Sequence, residues 1–220
     1  MGFALVTELV VRKEWSDWDS TGCEVSWGSE VATLRIPGIS LEARDRALRD
    51  VGNQLGEGTS LSAALATLSR EWEALRLPVG TVLANEVILV NASSVTQASA
   101  AVDVAKSVSM LARGSRRVVL IAGSLDFSGD SDYDSLGAFG ALMIRLNISQ
   151  VFSVGRGARA LFLSVGMEGS WDGESRFSED SDSAYDDIRA HIDAGDVVLV
   201  LGSTEESFRP LAEKLEAELS

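Results

Sequence analysis

Cysteine and histidine are nearly absent: the 220 residues hold one of each, Cys23 and His191. A lone cysteine excludes an intramolecular disulfide framework, and the two residues cannot build a Cys/Cys/His or His-rich zinc cage. Both are expected to be structural, Cys23 as a small apolar residue in a strand-like run and His191 as a mid-helix position near an acidic cluster. No Ser/His/Asp or Cys/His set can be assembled around such a histidine, and no G-x-S-x-G elbow occurs. Positive charge is also scarce. With 19 Lys+Arg against 33 Asp+Glu the formal net charge is −14, so a polyanion or an anionic lipid surface is repelled and nucleic acid is excluded as a generic partner. The opening Met1-Gly2-Phe3-Ala4-Leu5-Val6 meets Thr7-Glu8 at once, too short for a secretory core, and no apolar run reaches transmembrane length. No membrane insertion is expected, and a cytoplasmic location is. The phosphate cradle G-x-x-x-x-G-K-[ST] is missing as well.

What is present is an ordinary globular composition, 45% apolar and 24% charged, enough to bury a core. Residues 1–36 alternate with period two through Glu8–Val11, Glu24–Trp27 and Val31–Ile36, separated by Asp/Ser/Gly turns, which predicts a small antiparallel meander. Trp15, Trp18 and Trp27 could stack a ligand there, or pack. After Pro37-Gly38 the period becomes 3.6: Leu41, Ala43, Ala47, Leu48 and Val51 mark one helix, and Ser60 caps a second carrying Leu61, Ala64, Leu65, Leu68 and Trp72. Pro78-Val79-Gly80 then breaks the chain, placing a domain boundary near residue 80, with domains at 1–80 and 81–220.

Beyond that break, strands predicted at Glu86–Val90, Arg117–Ile121, Gln150–Val154 and Asp196–Leu201 alternate with helices at Thr96–Leu111, Tyr133–Leu146, Ala158–Val165, Ser181–Ala194 and Glu205–Leu219. Residues 123–135 and 166–183 read as loops. The runs Val118–Ile121 and Val197–Val200 are continuously apolar, as a parallel sheet covered on both faces requires. The fold class is therefore α/β, with a Rossmann-like parallel sheet preceded by a meander and a helix pair.

In such a sheet ligands bind outside the carboxyl ends of the strands. Four junctions are candidates. Asn91-Ala92-Ser93-Ser94-Val95-Thr96-Gln97 is a polar run able to hold a ligand, or a plain loop with a helix cap. Gly123-Ser124 leads to Asp126 and Gly129-Asp130-Ser131-Asp132-Tyr133-Asp134, whose D-x-D-x-D spacing suggests calcium, but Ser135 and Ala141 stand where that loop needs Gly and a bidentate Glu. Its acids suit a helix N-terminus better, and no metal site is expected. Gly155-Arg156-Gly157-Ala158-Arg159-Ala160 fits G-x-G-x-x-A formally, yet it comes late in the sheet, so a tight turn is favoured over dinucleotide binding. Gly202-Ser203-Thr204-Glu205-Glu206 offers backbone to an anion but places two acids in the first helical turn. The ligand-binding candidates are thus Asn91, Ser93, Ser94, Gly123, Ser124, Gly155, Arg156, Gly202 and Ser203; no catalytic residue is identified.

The order of these pieces resembles the C-terminal half of the Mur ligases, in particular the type that adds D-Ala-D-Ala to the muramyl tripeptide. Leu34-Arg35-Ile36-Pro37-Gly38 is similar to the family's "LPLPG", Leu77-Pro78-Val79-Gly80-Thr81 to "P-x-P-G-R", and Leu89-Val90-Asn91-Ala92-Ser93-Ser94 to "LIDDSYNANP". Val119–Leu125 resembles "AVLGDM", Val154–Ala160 resembles "VGELARA", and Ala194–Ser203 resembles "PGDVVLVKGS", the most specific match. The resemblance implies that residues 1–80 are the tail of the family's central domain and 81–220 its C-terminal domain. The family's P-loop and magnesium-binding residues then lie outside this sequence.

The departures fall on chemical positions. Where the family has "G-x-H-N-x-x-N" this chain has Gly38-Ile39-Ser40-Leu41-Glu42-Ala43-Arg44; Thr81 replaces an Arg, Ser124 an Asp and Leu201 a Lys, and the "DDSYNANP" linker has become Asn91–Ala98. Leu cannot replace a fixed cation in stabilising an anionic substrate. The expectation is a Mur ligase-like protein of bacterial peptidoglycan synthesis without its own ATP site, noncatalytic, acting as a binding or regulatory module. Alternatives are a part or subunit of an ATP-dependent ligase, for which ATP and Mg would be the cofactors, and an unrelated small-molecule binder. No cofactor is expected for this chain alone. A protein partner or a homo-oligomer is expected, because an incomplete central-domain sheet leaves a strand edge to be covered.

Overall fold

A computed structural model describes residues 8–128, 136–167, 173–203 and 208–219, and divides the chain into two compact units, Met1–Val79 and Gly80–Ser220. In the first unit β1 (Val10–Ser16), β2 (Ser20–Trp27) and β3 (Glu30–Pro37) form an antiparallel sheet in that order. Two helices follow, α1 (Leu41–Gly56) and α2 (Leu61–Ala74). Ser40 caps α1 by accepting the Ala43 N–H at 3.0 Å, and Ser60 caps α2 through the Ala63 N–H at 3.4 Å. The inward face of α1 is Ala43, Ala47, Val51 and Leu55, a strict four-residue spacing. These residues join Leu61, Leu65, Leu68 and Trp72 of α2 against Cys23, Val25, Leu34 and Ile36 of the sheet in one buried cluster. Of the three tryptophans, Trp27 packs on that cluster and the Trp15 ring lies against Gly22, so these two serve packing; Trp18 is partly buried.

The second unit holds a six-stranded sheet of β4 (Gly80–Val82), β5 (Ile88–Ala92), β6 (Val118–Ala122), β7 (Gln150–Val154), β8 (Glu174–Ser178) and β9 (Val197–Leu201), ordered β4-β5-β9-β6-β7-β8. All neighbours are parallel except β4 and β5. The helices are α3 (Ala98–Ala112), α4 (Leu136–Arg145), α5 (Arg159–Gly166), α6 (Ser181–Ala190) and α7 (Arg209–Leu219). One sheet face, carrying Leu89, Val119, Ile121, Phe152, Val154, Val198 and Val200, packs on Tyr185 and Ile188 of α6 and Leu211 and Leu215 of α7. Alternate residues point to the opposite face, and Val118, Leu120, Val197, Leu199 and Leu201 are equally buried there. The sheet is covered on both sides, as its unbroken apolar strands require.

Several expected boundaries shift. The strand expected at Glu86–Val90 starts at Ile88, because Ala84–Glu86 form a 3-10 turn in which Asn85 and Glu86 have φ of 56° and 61°. The stretch 166–183, expected as a loop, contains β8, an edge strand whose partly polar Glu-Ser-Arg-Phe-Ser pairs, among the described residues, with β7 alone. The short β4 adds an antiparallel edge to the expected parallel sheet. The helix expected to run to Ala194 stops at Ala190. His191 is its C-cap, not a mid-helix residue; its Nδ1 lies 2.6 Å from the Asp187 carbonyl and its ring stands edge-on to Phe152. The acidic run 129–135 and the start of the last expected helix, 205–207, lie outside the described residues. No described helix is long and apolar enough to cross a membrane, and no described group of His, Cys, Asp and Glu could hold a metal.

Candidate functional site

Strand β9, last in sequence, is inserted between β5 and β6. The chain leaves β5 towards α3 and leaves β9 towards α7, which packs on the other face. Such reversals open a crevice at the carboxyl ends of the strands, and six candidate residues meet there: Asn91 near the end of β5 and Ser93 just after it, Gly123 and Ser124 after β6, Gly202 and Ser203 after β9. Ser94 follows in the same loop but is exposed.

The crevice is spanned by the chain's own groups. The loop after β5 crosses the end of β9, where the Gly202 N–H donates to the Val95 carbonyl at 3.0 Å. The approach is close: a Cβ on Gly202 would lie 2.5 Å from the Ser93 carbonyl oxygen and 2.6 Å from that of Val95. The same loop reaches the loop after β6, with Asp126 N–H to Thr96 carbonyl and Ala98 N–H to Asp126 carbonyl, each 2.8 Å. The Gln97 side-chain amide adds a 2.7 Å bond to Asp126 Oδ2. On the other side of β9, Ser203 Oγ accepts the Ser124 N–H at 3.0 Å, and the side chain of Ser203 fills the space beside Gly123. Hydrogen bonds from Ser128, side chain and backbone, and from Gln97 hold the Asp126 carboxyl below the usual range. Val95, Thr96, Gln97 and Asp126 thus share the site with the residues picked from the sequence. All four stand in the first two junctions read from the sequence; what left no local signal is their pairing across 29 residues.

Asn91 is spent on structure. Its Oδ1 accepts the Ser93 N–H at 3.2 Å, the local turn expected of Asn, and its Nδ2 faces Glu216 of α7 at 3.4 Å. Leu201, where the family pattern has Lys, is completely buried in β9. Ser40, in the "G-x-H-N" region, is the buried cap of α1.

Gly155 and Arg156 lie apart from these six. Gly155 takes φ 93° and opens a 3-10 turn, Arg156–Ala158, and its N–H donates to Ser178 at the end of β8. Arg156 is exposed, 3.9 Å from Glu179. This is the tight turn the sequence favours, with α5 starting at Arg159 behind it.

The opposite, amino-terminal end of the sheet carries a charge cluster that the sequence reading did not single out. Asp196, at 3% exposure, takes both arms of Arg117, Nε at 3.0 Å and Nη2 at 2.6 Å, and also accepts the Asp193 N–H. Arg117 Nη2 further meets the His191 carbonyl and Asp193 Oδ2. The hydrogen bond to Asp196 raises the Arg117 pKa still further. The Gly195-Asp196 pair of the best-matching motif is therefore a structural clamp joining β6 to β9. A cavity of about 320 Å³ between α6 and α7 is lined by Asp180, Tyr185 and Lys214 among others. There Lys214 Nζ sits 3.6 Å from the centre of the Tyr185 ring and Tyr185 donates to Glu218; burial first, then that bond, pushes the phenol up to about 12.

No family model matches the sequence, and no curated protein does. Solved structures do match the fold. MurF from Acinetobacter baumannii superposes with a TM-score of 0.64 at 16% identity, over 96% of this chain and 44% of that one. The UDP-N-acetylmuramate-alanine ligase MurC from Thermotoga maritima gives 0.61 at 13% identity, over 96% and 46%. The murein peptide ligase mpl from Psychrobacter arcticus gives 0.59 at 15% identity, over 94% and 43%. The chain spans less than half the length of each. Its fold, meander and helix pair followed by a Rossmann-like sheet, is one found within the Mur ligases.

Proposed function

We infer that these residues form a noncatalytic binding or regulatory module of peptidoglycan precursor synthesis, built on a Mur ligase fold. The observation that carries this reading is the crevice beside β9. Where a ligase-like site would need open backbone and a cation, Val95, Asp126 and Ser203 hold the loops together and Leu201 is buried. No P-loop signature occurs in the 220 residues, so these residues are expected neither to activate a carboxylate nor to need ATP or Mg. The same closure argues against a small-molecule binder using Ser93, Ser124 and Gly202. A cytoplasmic setting follows from the role. The direct test is phosphate release from Mg-ATP with and without D-alanyl-D-alanine. Turnover at the buffer rate is expected; turnover proportional to protein concentration overturns the reading.

A partner belongs to this proposal. Among the described residues β1 and β3 each pair with β2 alone, and Val10, Val11 and Val31 are exposed on them at 49%, 38% and 51%. Unpaired apolar edges of this kind are usually covered by another chain. The coverage of less than half of each matched ligase favours a second reading, a ligase part whose nucleotide site is formed elsewhere. Restoration of ligation by an added P-loop protein would select it.

A further inference from the structure

We propose that the amino-terminal end of the second unit's sheet holds an anion site for a phosphate group, free or as a monoester, formed by Arg113, Arg116 and Arg145. The three arginines line a cavity of about 180 Å³ together with Ser109, Gly114 and Asn147, and no carboxylate is among its lining residues. That volume equals about six waters of liquid, room for one phosphate and part of its shell. In a chain of net charge −14 such a cluster runs against the composition. Screening removes most of the influence of carboxylates beyond about 8 Å at physiological salt, so the balance is local, three full cations against the partial negative charge at the C-termini of α3 and α4.

The four arginines at this end are treated differently. Arg117 is neutralised by Asp193 and Asp196. Arg116 is held by carbonyls only, its Nη1 2.7 Å from Glu86 O and 2.9 Å from Gly195 O, which fixes its position and leaves its charge uncompensated. Among the described residues the side chains of Arg113 and Arg145 make no hydrogen bond or ion pair, and both are exposed. Arg113 caps the C-terminus of α3 and Arg145 lies in the last turn of α4. The helix dipole accounts for one cation at each helix end, but not for Arg116 at the entrance to β6. Three planar forks, one anchored and two free to turn, suit the several oxygens of a phosphate better than a single carboxylate. Gly114 with φ 77° and Asn147 with φ 58° carry the backbone around the cavity in tight turns, so no long side chain fills it.

The test is a titration of the isotope-labelled chain with sodium phosphate, followed by amide NMR, against sodium chloride at matched ionic strength. Saturable shifts confined to Arg113–Arg117 and Arg145–Asn147 are expected with phosphate alone. The double variant R113Q/R145Q, altered only at exposed positions, should raise the half-saturation concentration at least tenfold while its other resonances stay in place. Equal shifts with chloride, no saturation, an unchanged response in the variant, or shifts centred on residues 91–97 would overturn the site. O-phosphoserine as a second probe identifies the source: tighter binding than inorganic phosphate marks a monoester, equal or weaker binding marks the free ion.

Discussion

Glycines at strand ends decide how the crevice closes. A methyl group on Gly202 would collide with the Ser93 and Val95 carbonyls, and one on Gly123 with Ser203. Gly202→Ala and Gly123→Ala should each lower stability by about 1–3 kcal/mol in urea denaturation. Gly52, inside α1 with nothing near its missing side chain, is the counter-case, and Gly52→Ala should add about 0.5–1 kcal/mol. These opposite signs could not be read from the sequence, because a glycine's neighbours across a sheet are set by the order β5-β9-β6. Asp196 shows the same limit. It follows a glycine in the best-matching motif, yet its role as a clamp for Arg117 depends on β6 and β9 being adjacent. Asp196→Asn should cost about 1–3 kcal/mol, since it leaves a partly buried guanidinium with only the exposed Asp193 as counter-charge. Cys23 is simpler: burial pushes its thiol up to about 11, so it should resist a thiol reagent at pH 8 in the folded protein and react once the chain is unfolded.

At the level of elements, legibility followed burial. The strands Val118–Ala122 and Val197–Leu201 are wholly buried and announce themselves as apolar runs, and α2 buries all five of the residues its periodicity singles out. Strand β8 did not, because an edge strand needs no apolar run and Glu174 and Arg176 bond to each other at its surface. Capping was readable at Ser60 but at neither Asp180, cap of α6, nor Ser40, cap of α1. Ser40→Ala should cost about 1 kcal/mol. Three hydrogen-bonded carboxylates carry a pH signature. Hydrogen bonds from Ser183 lower the Asp180 pKa, Ser128 and Gln97 lower that of Asp126, and Arg176 lowers that of Glu174. A carboxylate whose folded pKa is depressed stabilises the protein above its unfolded value and loses that contribution as pH falls through the folded one. The urea midpoint should therefore decline as pH drops below about 4, and Asp180→Asn with Asp126→Asn should flatten that decline.

For the whole molecule, the strong negative charge and the unpaired meander edges act in opposite directions, the first favouring solubility and the second association. Light scattering at micromolar concentration should give a mass above the 23.4 kDa of one chain, more so at high salt; a strictly monomeric mass would remove the support for a partner. In the proposed reading a Mur ligase fold persists here with its strand-end crevice turned to structural use. Calorimetric titration of the purified chain with Mg-ATP tests it most directly. No saturable heat is expected. A saturable site of micromolar affinity would contradict it, and would mean that the loops joined through Val95, Asp126 and Ser203 open to admit a nucleotide.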